Sequence, residues 1–286
     1  MTVLEVIQRS GEFLGKRGVD SPRLQIELML AHLLRVPRLN LYLNFERELS
    51  GAELESVREL VRRRGNREPL QLILGSTSFC ALEIKVTREV LVPRPETELL
   101  AERAWTFLAT LDSRASTALD FGTGSGCIAI ALAANCPTAR IHAVDLSAGA
   151  LSVARENAIL NGVAERIEFQ LGDGFAALPP GLSFDLIVAN PPYVPSGEID
   201  ALAPEVRDYD PRPALDGGAD GLEFFRCLAA QAVGRLKAAG KIMLEFGDGQ
   251  EERLREILAR HKWVVEAVEA DYSGRPRILV ARPVRV

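Results

Sequence analysis

Apolar positions in residues 2–74 recur at a helical period. Val3, Leu4, Ile7, Phe13 and Leu14 follow a spacing near 3.6 residues. Ser21-Pro22 restarts a helix, with proline suited to its first turn, and "SPRLQIELMLAHLLRV" stops before Pro37. "SGAELESVRELVRRRG" is a further helix closed by Gly65. From Thr77 to Pro93 the pattern turns to alternation with β-branched residues, which predicts a hairpin or two short strands. "RPETELLAERAWTFLA" opens a helix with Pro95 early and Glu96 and Glu98 in its first turn.

After Ser116 the chain reads strand, glycine turn, helix, strand. "TALDF" leads through "GTGSG" into the helix "CIAIALAANC". "ARIHAV" ends at Asp145, the helix "SAGALSVARENAILNG" follows, and "RIEFQ" runs into "GDGF". "FDLIVA" meets "NPPY", a helix is expected from Leu222 to Lys237, and "GKIMLEF", a helix, "WVVEAVEA" and "PRILVARP" complete the series. This alternation predicts an α/β fold, a mostly parallel sheet with helices on both faces and an antiparallel pair at one edge. The expected organisation is a helical domain over 1–75, a β-hairpin linker over 76–92 and a catalytic α/β domain over 93–286.

Composition narrows the setting. The chain has 286 residues, a net charge of -5 and 47% hydrophobic residues, which suits an ordinary globular protein and gives no general attraction to nucleic acid. Charge is uneven: residues 1–74 carry 12 basic and 10 acidic side chains, so the front is slightly basic and the remainder acidic. Arg58, Arg62, Arg63, Arg64 and Arg67 form the densest positive stretch, readable as a solvated helix face or as a docking surface. Cys80, Cys127, Cys136 and Cys227 have no CxxC spacing, and His32, His142 and His261 share no spacing with them, so no metal site is expected. No segment has a signal-like apolar core or the ~20 apolar residues of a membrane span. A cytoplasmic protein without a membrane partner is the expectation.

Ligands of open parallel sheets bind beyond the carboxyl ends of the strands. Four such ends carry polar or glycine chemistry here: Asp120 to Gly126, Asp145, Asp173 and Asn190. In "DFGTGSG" the glycines Gly122, Gly124 and Gly126, interleaved with Thr123 and Ser125, let a ligand approach the backbone. Asp145, about 20 residues on, can accept both hydroxyls of a ribose. A dinucleotide calls for GxGxxG, whereas GxGxG is the spacing of S-adenosylmethionine methyltransferases, whose cofactor has no pyrophosphate to seat.

"NPPY" supplies the acceptor. Asn190 offers a side-chain carbonyl, while Pro191 and Pro192 stiffen the turn and remove two backbone donors. A planar NH2 group suits this corner, its hydrogens pointing at Asn190 and the Pro191 carbonyl with Tyr193 against its face. Amide nitrogen is a poor nucleophile because its lone pair is delocalised. Holding it in line with an activated methyl favours attack, and the proton can leave afterwards.

Taken together, "LVPRPETE" (91–98), "DFGTGSG", "NPPY", "ALDGGADGLEFF" (214–225) and "YSGRPRILVARP" (272–283) resemble the HemK/PrmC family. These are peptide chain release factor glutamine N5-methyltransferases with a Rossmann-like methyltransferase sheet of seven strands. The resemblance implies transfer from S-adenosylmethionine, leaving S-adenosylhomocysteine, to the side-chain amide of the glutamine in a release factor's Gly-Gly-Gln motif. It implies Gly122 to Gly126 around the methionine end, Asp145 on the ribose and Asp173 near the adenine. Asn190 to Tyr193 would hold the glutamine, with Asn190, Pro191 and Tyr193 catalytic and Asn190 also bordering the cofactor. The helical front would dock the release factor, and no direct nucleic-acid contact is expected.

Two departures stand out. The family's tryptophan after the third-strand acid is replaced by Gly174 and then Phe175, the candidates for the adenine side here. Its Glu-Pro pair is Asp210-Pro211. Arg94, Glu96 and Glu98 read first as helix-start residues, Asp216 with Gly217 and Gly218 as a turn, and Glu245 and Arg275 carry no assigned role. The competing readings are a ribosomal-protein glutamine methyltransferase, an adenine or guanine amino-methyltransferase acting on nucleic acid, and a cofactor-binding adaptor.

Overall fold

A computed structural model describes residues 1–111 and 116–284. The chain forms two compact units, Met1–Ser76 together with Ala203–Tyr209, and Thr77–Leu202 together with the chain from Asp210 onward.

The first unit is helical: α1 (Val3–Lys16), α2 (Pro22–Leu34), α3 (Arg38–Tyr42), α4 (Gly51–Gly65) and α5 (Leu70–Leu74). Thr2 and Ser50 start α1 and α4 with reciprocal caps, each hydroxyl accepting from the backbone of Glu5 or Glu53, whose carboxylate accepts from the cap backbone in return. Val3, Val6, Ile7 and Leu14 of α1 pack with Ile26, Met29 and Leu30 of α2 and Val57 of α4. Val6 takes the place expected of Phe13, which is 39% exposed. The physical reason lies at Gly65, where a Cβ would stand 2.7 Å from the Phe13 ring, so that ring lies over the end of α4.

The arginine-rich stretch is largely neutralised where it stands. Arg58 pairs with Glu55, Arg62 with Glu59 and Arg63 with Glu68. Arg64 and Arg67 both grip Glu205, at 2.8 and 2.6 Å, which fastens the one-turn helix Pro204–Arg207 to the end of α4. Glu27 on α2 is 1% exposed and accepts hydrogen bonds from Arg23, Arg38 and Tyr42.

The second unit begins with the hairpin β1 (Ser76–Phe79) and β2 (Leu82–Lys85). Its two turn residues, Cys80 and Ala81, have φ of 49° and 61°, the left-handed geometry a two-residue hairpin needs to match strand twist. Asn157 joins this hairpin to the same unit, accepting from the Lys85 N–H at 2.8 Å and donating to its carbonyl at 3.0 Å. There follow α6 (Pro95–Thr110), β3 (Thr117–Phe121), α7 (Cys127–Asn135), β4 (Arg140–Asp145), α8 (Ala148–Leu160), β5 (Ile167–Leu171), β6 (Phe184–Ala189), α9 (Glu223–Gln231), β7 (Leu236–Glu245), α10 (Glu251–Arg260), β8 (Trp263–Ala270) and β9 (Pro276–Pro283).

Seven strands form one sheet in the order β5-β4-β3-β6-β7-β9-β8. β5 to β7 are parallel, and β9 runs antiparallel to both β7 and β8, as the strand pattern predicts. α9 is shorter than expected. It ends at Gln231, a 3-10 turn covers Ala232–Arg235, and β7 already starts at Leu236. Of "LKAAG" only Leu236 pairs with β6, opposite Phe184, and after a register shift the pairing resumes with Lys241 opposite Leu186. The core under the sheet gathers Phe184, Ile187, Phe225, Ile242, Leu244, Phe246 and Leu279. Among the described residues no helix is long and apolar enough to cross a membrane.

Candidate active site

Strand order reverses between β3 and β6: from β3 the chain moves outward to β4 and β5, and from β6 it moves the other way to β7. The carboxyl ends of these two strands therefore flank the crevice where such sheets bind ligands. The glycine loop follows β3, and Asn190 to Tyr193 follow β6.

In the loop, Gly122, Gly124 and Gly126 have φ of 75°, 54° and 81°, a region that side-chain-bearing residues avoid. A Cβ at Gly126 would meet Ala154 at 3.0 Å, so this glycine lets α7 pack on α8, whereas Gly122 and Gly124 face open space. Thr123 and Ser125 are 5% and 3% exposed. The Thr123 hydroxyl donates to Asp120 at 2.6 Å and the Ser125 carbonyl accepts from Asn157 at 2.9 Å. Thr123 thus spends its side chain inward, and buried Ser125 ties the loop to α8 through its backbone carbonyl. Asp145 accepts from the Gly124 N–H at 2.8 Å and the Ser147 N–H at 2.9 Å, so the strand-end acid also fixes the loop. Leu146 beside it is 73% exposed, an apolar surface at a ligand-facing strand end.

On the third strand end Asp173 is exposed. Phe175 is not an open stacking surface. Its ring is 4% exposed and packs against Phe121 with centroids 4.9 Å apart. Gly174 explains this placement: a Cβ there would lie 2.5 Å from the Phe121 ring, so the chain hugs the core at the position where the family's tryptophan is missing. The Phe175 ring thus belongs to the core beside Phe121.

The NPPY corner is held from behind by the "LDGGADG" turn. The Val194 N–H donates to the Leu215 carbonyl at 2.9 Å and the Gly217 N–H to the Val194 carbonyl at 2.8 Å. A Cβ at Gly217 would stand 2.8 Å from the Pro192 carbonyl, and one at Gly221 would stand within 2.4 Å of the Tyr193 carbonyl. Gln250 completes the support, donating to the Tyr193 carbonyl at 2.9 Å. Asp216 is occupied by Ser196 and the Gly218 N–H, consistent with a turn residue. Burial first, and then the nearby Glu245 charge, push the Tyr193 phenol up to about 12, so it stays protonated at neutral pH.

Two residues without an assigned role meet at this corner. Asn190 donates from Nδ2 to Thr97 Oγ1 at 3.0 Å, and Thr97 donates to Glu245 Oε2 at 2.7 Å. Thr97 lies in the first turn of α6 and Glu245 ends β7. Residues 93 and 148 positions apart in the chain meet here, a contact that sequence spacing does not announce. Arg94 does not point at the corner's amide but pairs with Asp210 at 2.5 Å. Arg275 pairs with Asp248, and Arg277 with Asp271. Among the described residues no group of three or more His, Cys, Asp or Glu side chains is arranged to hold a metal ion.

A seven-stranded sheet whose last strand slots antiparallel between its neighbours, with both loops at its switch point, is the architecture of the α/β methyltransferases, and this chain is one of them. A family model described as "PrmC N-terminal domain" matches residues 5–75, and one described as "Methyltransferase small domain" matches residues 102–205. The chain is 41% identical to a release factor glutamine methyltransferase of Geobacter sulfurreducens, covering 98% of this chain and 96% of that protein. It is 44% identical to one of Chlorobaculum tepidum, covering 96% and 95%. A solved methyltransferase from Pyrococcus furiosus shares the fold at a TM-score of 0.51 and 19% identity, over 71% of this chain and 89% of that one. The chain belongs to the release factor glutamine methyltransferase family.

Proposed function

We propose that this enzyme methylates the side-chain nitrogen of the glutamine in the Gly-Gly-Gln motif of peptide chain release factors, with S-adenosylmethionine as donor. The observation that carries the reading is the NPPY corner, braced by Gly217, Gly221 and Gln250, across the switch point from a glycine loop tied to Asp145. The names of the relatives support the same substrate.

The residues present fit the donor. The Asp145 carboxylate keeps lone pairs beyond its two backbone donors for a ribose, Leu146 offers an apolar surface, and Gly122 and Gly124 permit close backbone approach. When bound, S-adenosylmethionine supplies a methyl group activated on a sulfonium. Asn190 Oδ1 and the Pro191 carbonyl accept the two hydrogens of the substrate amide. They orient its nitrogen and favour its passage from planar to tetrahedral. Tyr193 supplies a flat, uncharged face, since its phenol is protonated, and no side chain needs to remove the proton before transfer. In this reading the helical unit docks the release factor and the enzyme works in the cytoplasm, where thiols such as buried Cys127 and Cys136 stay reduced.

The test is transfer of labelled methyl from S-adenosylmethionine to a purified release factor. Label is expected on the factor and absent when its Gly-Gly-Gln glutamine is replaced; label on DNA or RNA but not on the factor would overturn the proposal. Asn190→Ala is expected to slow transfer by roughly 100-fold while donor affinity changes little. Equal loss of both would contradict the role given to Asn190.

A further inference from the structure

The proposed chemistry makes a demand that the NPPY corner alone does not meet. An asparagine carboxamide is nearly symmetric in shape, so its oxygen and its NH2 can exchange places without steric cost. Only one orientation helps. With the oxygen outward the corner accepts a substrate N–H, and with the NH2 outward it opposes donor to donor. Something must choose.

We propose that Thr97 and Glu245 are positioning residues that lock the Asn190 carboxamide with its oxygen toward the substrate. The inference rests on the amide-methylation reading above. The logic follows from proton counting. An ionised carboxylate has no proton to give, so Glu245 can only accept. The single hydroxyl proton of Thr97 goes to it, across 2.7 Å. Thr97 Oγ1 then has only lone pairs left for Asn190, which must offer an N–H, at 3.0 Å. Thr97 and Glu245 are 2% and 1% exposed, so water does not compete for either bond. Among the described residues Asn190 Oδ1 makes no hydrogen bond, and Asn190 itself is half-buried, so the directed end is the one that reaches the crevice.

The surroundings of Glu245 make the lock sensitive to pH. Burial pushes its carboxyl up to about 7; the Thr97 hydrogen bond and the charges of Arg277 on β9 and Arg94 at the start of α6 favour ionisation, and Glu96 on α6 opposes it. Tyr193, the remaining titratable neighbour, is uncharged in this range. Once protonated, Glu245 can itself donate to Thr97. The Thr97 hydroxyl is then free to donate to Asn190 and to favour the unproductive orientation.

Three isosteric or near-isosteric variants test this. Thr97→Val, which keeps the volume and removes the hydroxyl, should lower kcat for release-factor methylation by roughly 10- to 100-fold, the effect of one lost buried hydrogen bond. Its donor affinity should be unchanged and its KM within about threefold. Thr97→Ser should restore most of the rate. In the wild type kcat should fall as pH drops from 8 to 6, and Thr97→Val and Glu245→Gln should both flatten that limb. A Thr97→Val enzyme with wild-type kcat, or a Thr97→Ser enzyme as slow as the valine variant, would overturn the proposal. A measurement without substrate separates this from failure of the functional reading. By nitrogen-15 NMR, the Asn190 side-chain NH2 protons should exchange slowly with water in the wild type and Thr97→Ser, and rapidly in Thr97→Val. Wild-type protein inactive on every release factor would sink the assigned reaction, while equal exchange in all three proteins would sink the lock.

Discussion

Glu27 in the helical unit and Glu245 in the α/β unit are both 1% exposed, yet their surroundings treat them in opposite ways. Burial alone would push Glu27 up, but hydrogen bonds from Arg23, Tyr42 and Arg38 outweigh it and hold the carboxyl below its ordinary range. Glu245 has one hydrogen-bond donor, Thr97, and burial pushes it up to about 7. Asp120, also 1% exposed, shares that fate. Oδ2 accepts from Thr123 and the Ala129 N–H, Oδ1 has no partner, and burial again brings the carboxyl to about 7. A fully paired buried acid is a structural device. Under-paired acids cost stability, and these two sit in β3 and at the end of β7, beside the loops that flank the crevice.

The comparison breaks first at Glu27. Replacing it with alanine strands two arginines and a tyrosine, but Arg23 and Arg38 are 63% and 40% exposed and can turn to water. The expected loss is therefore about 2–3 kcal/mol, below the full cost of orphaning a buried charge. It should be read as faster hydrogen exchange in α1, α2 and α4. Because the Glu27 carboxyl lies below its ordinary 4.5, its contribution is present above that pH and lost as pH falls through the lowered value. If Glu27→Ala exchanges like the wild type at pH 7, this cluster does not hold the unit together.

At Glu245 the sign reverses. A carboxyl raised from 4.5 to about 7 takes up a proton on folding, so its contribution is complete below 4.5 and disappears as pH rises through 7. Both tryptophans, Trp105 and Trp263, lie in the α/β unit, so their fluorescence reports its unfolding. Between pH 5 and 8 Glu245→Gln should lose less stability than the wild type, by at most about 1.4 kcal/mol per pH unit for one proton. Parallel stability curves for the two proteins would mean that Glu245 does not titrate in this window.

The same contrast explains what the chain discloses on its own. Period and alternation depend on neighbours a few residues apart, so the helices, the parallel sheet and its antiparallel edge are legible. So is the glycine turn after β3, where Gly122 and Gly124 take the left-handed backbone angles that favour glycine. Thr97 looks like an ordinary first-turn residue and Glu245 like the end of a strand, and only the sheet brings both to Asn190. The placement of the Phe175 ring is hidden in the sequence for a related reason. An aromatic beside a strand-end acid suggests a stacking surface, but the positive φ of 51° at Gly174 accompanies a chain path that turns the ring into the core.

The smallest effect is expected where charge is densest. Arg58 and Arg62 project from α4 with their side chains 70% and 64% exposed, and each faces a glutamate three residues earlier. Exposed pairs of this kind contribute little because water and salt screen them and two long side chains must be ordered. The double variant Arg58→Ala, Arg62→Ala should therefore unfold at the wild-type denaturant midpoint, unlike Glu27→Ala. Its KM for a release factor should also stay within about twofold at moderate salt, since the partnered glutamates leave little net field to steer an acidic partner. A variant KM tenfold above that of the wild type at low salt, with the gap closing as added salt weakens the wild type, would show that these arginines exchange Glu55 and Glu59 for carboxylates on the substrate. The helical unit would then hold a working charge cluster of its own, at its surface, where the α/β unit keeps its own acids buried.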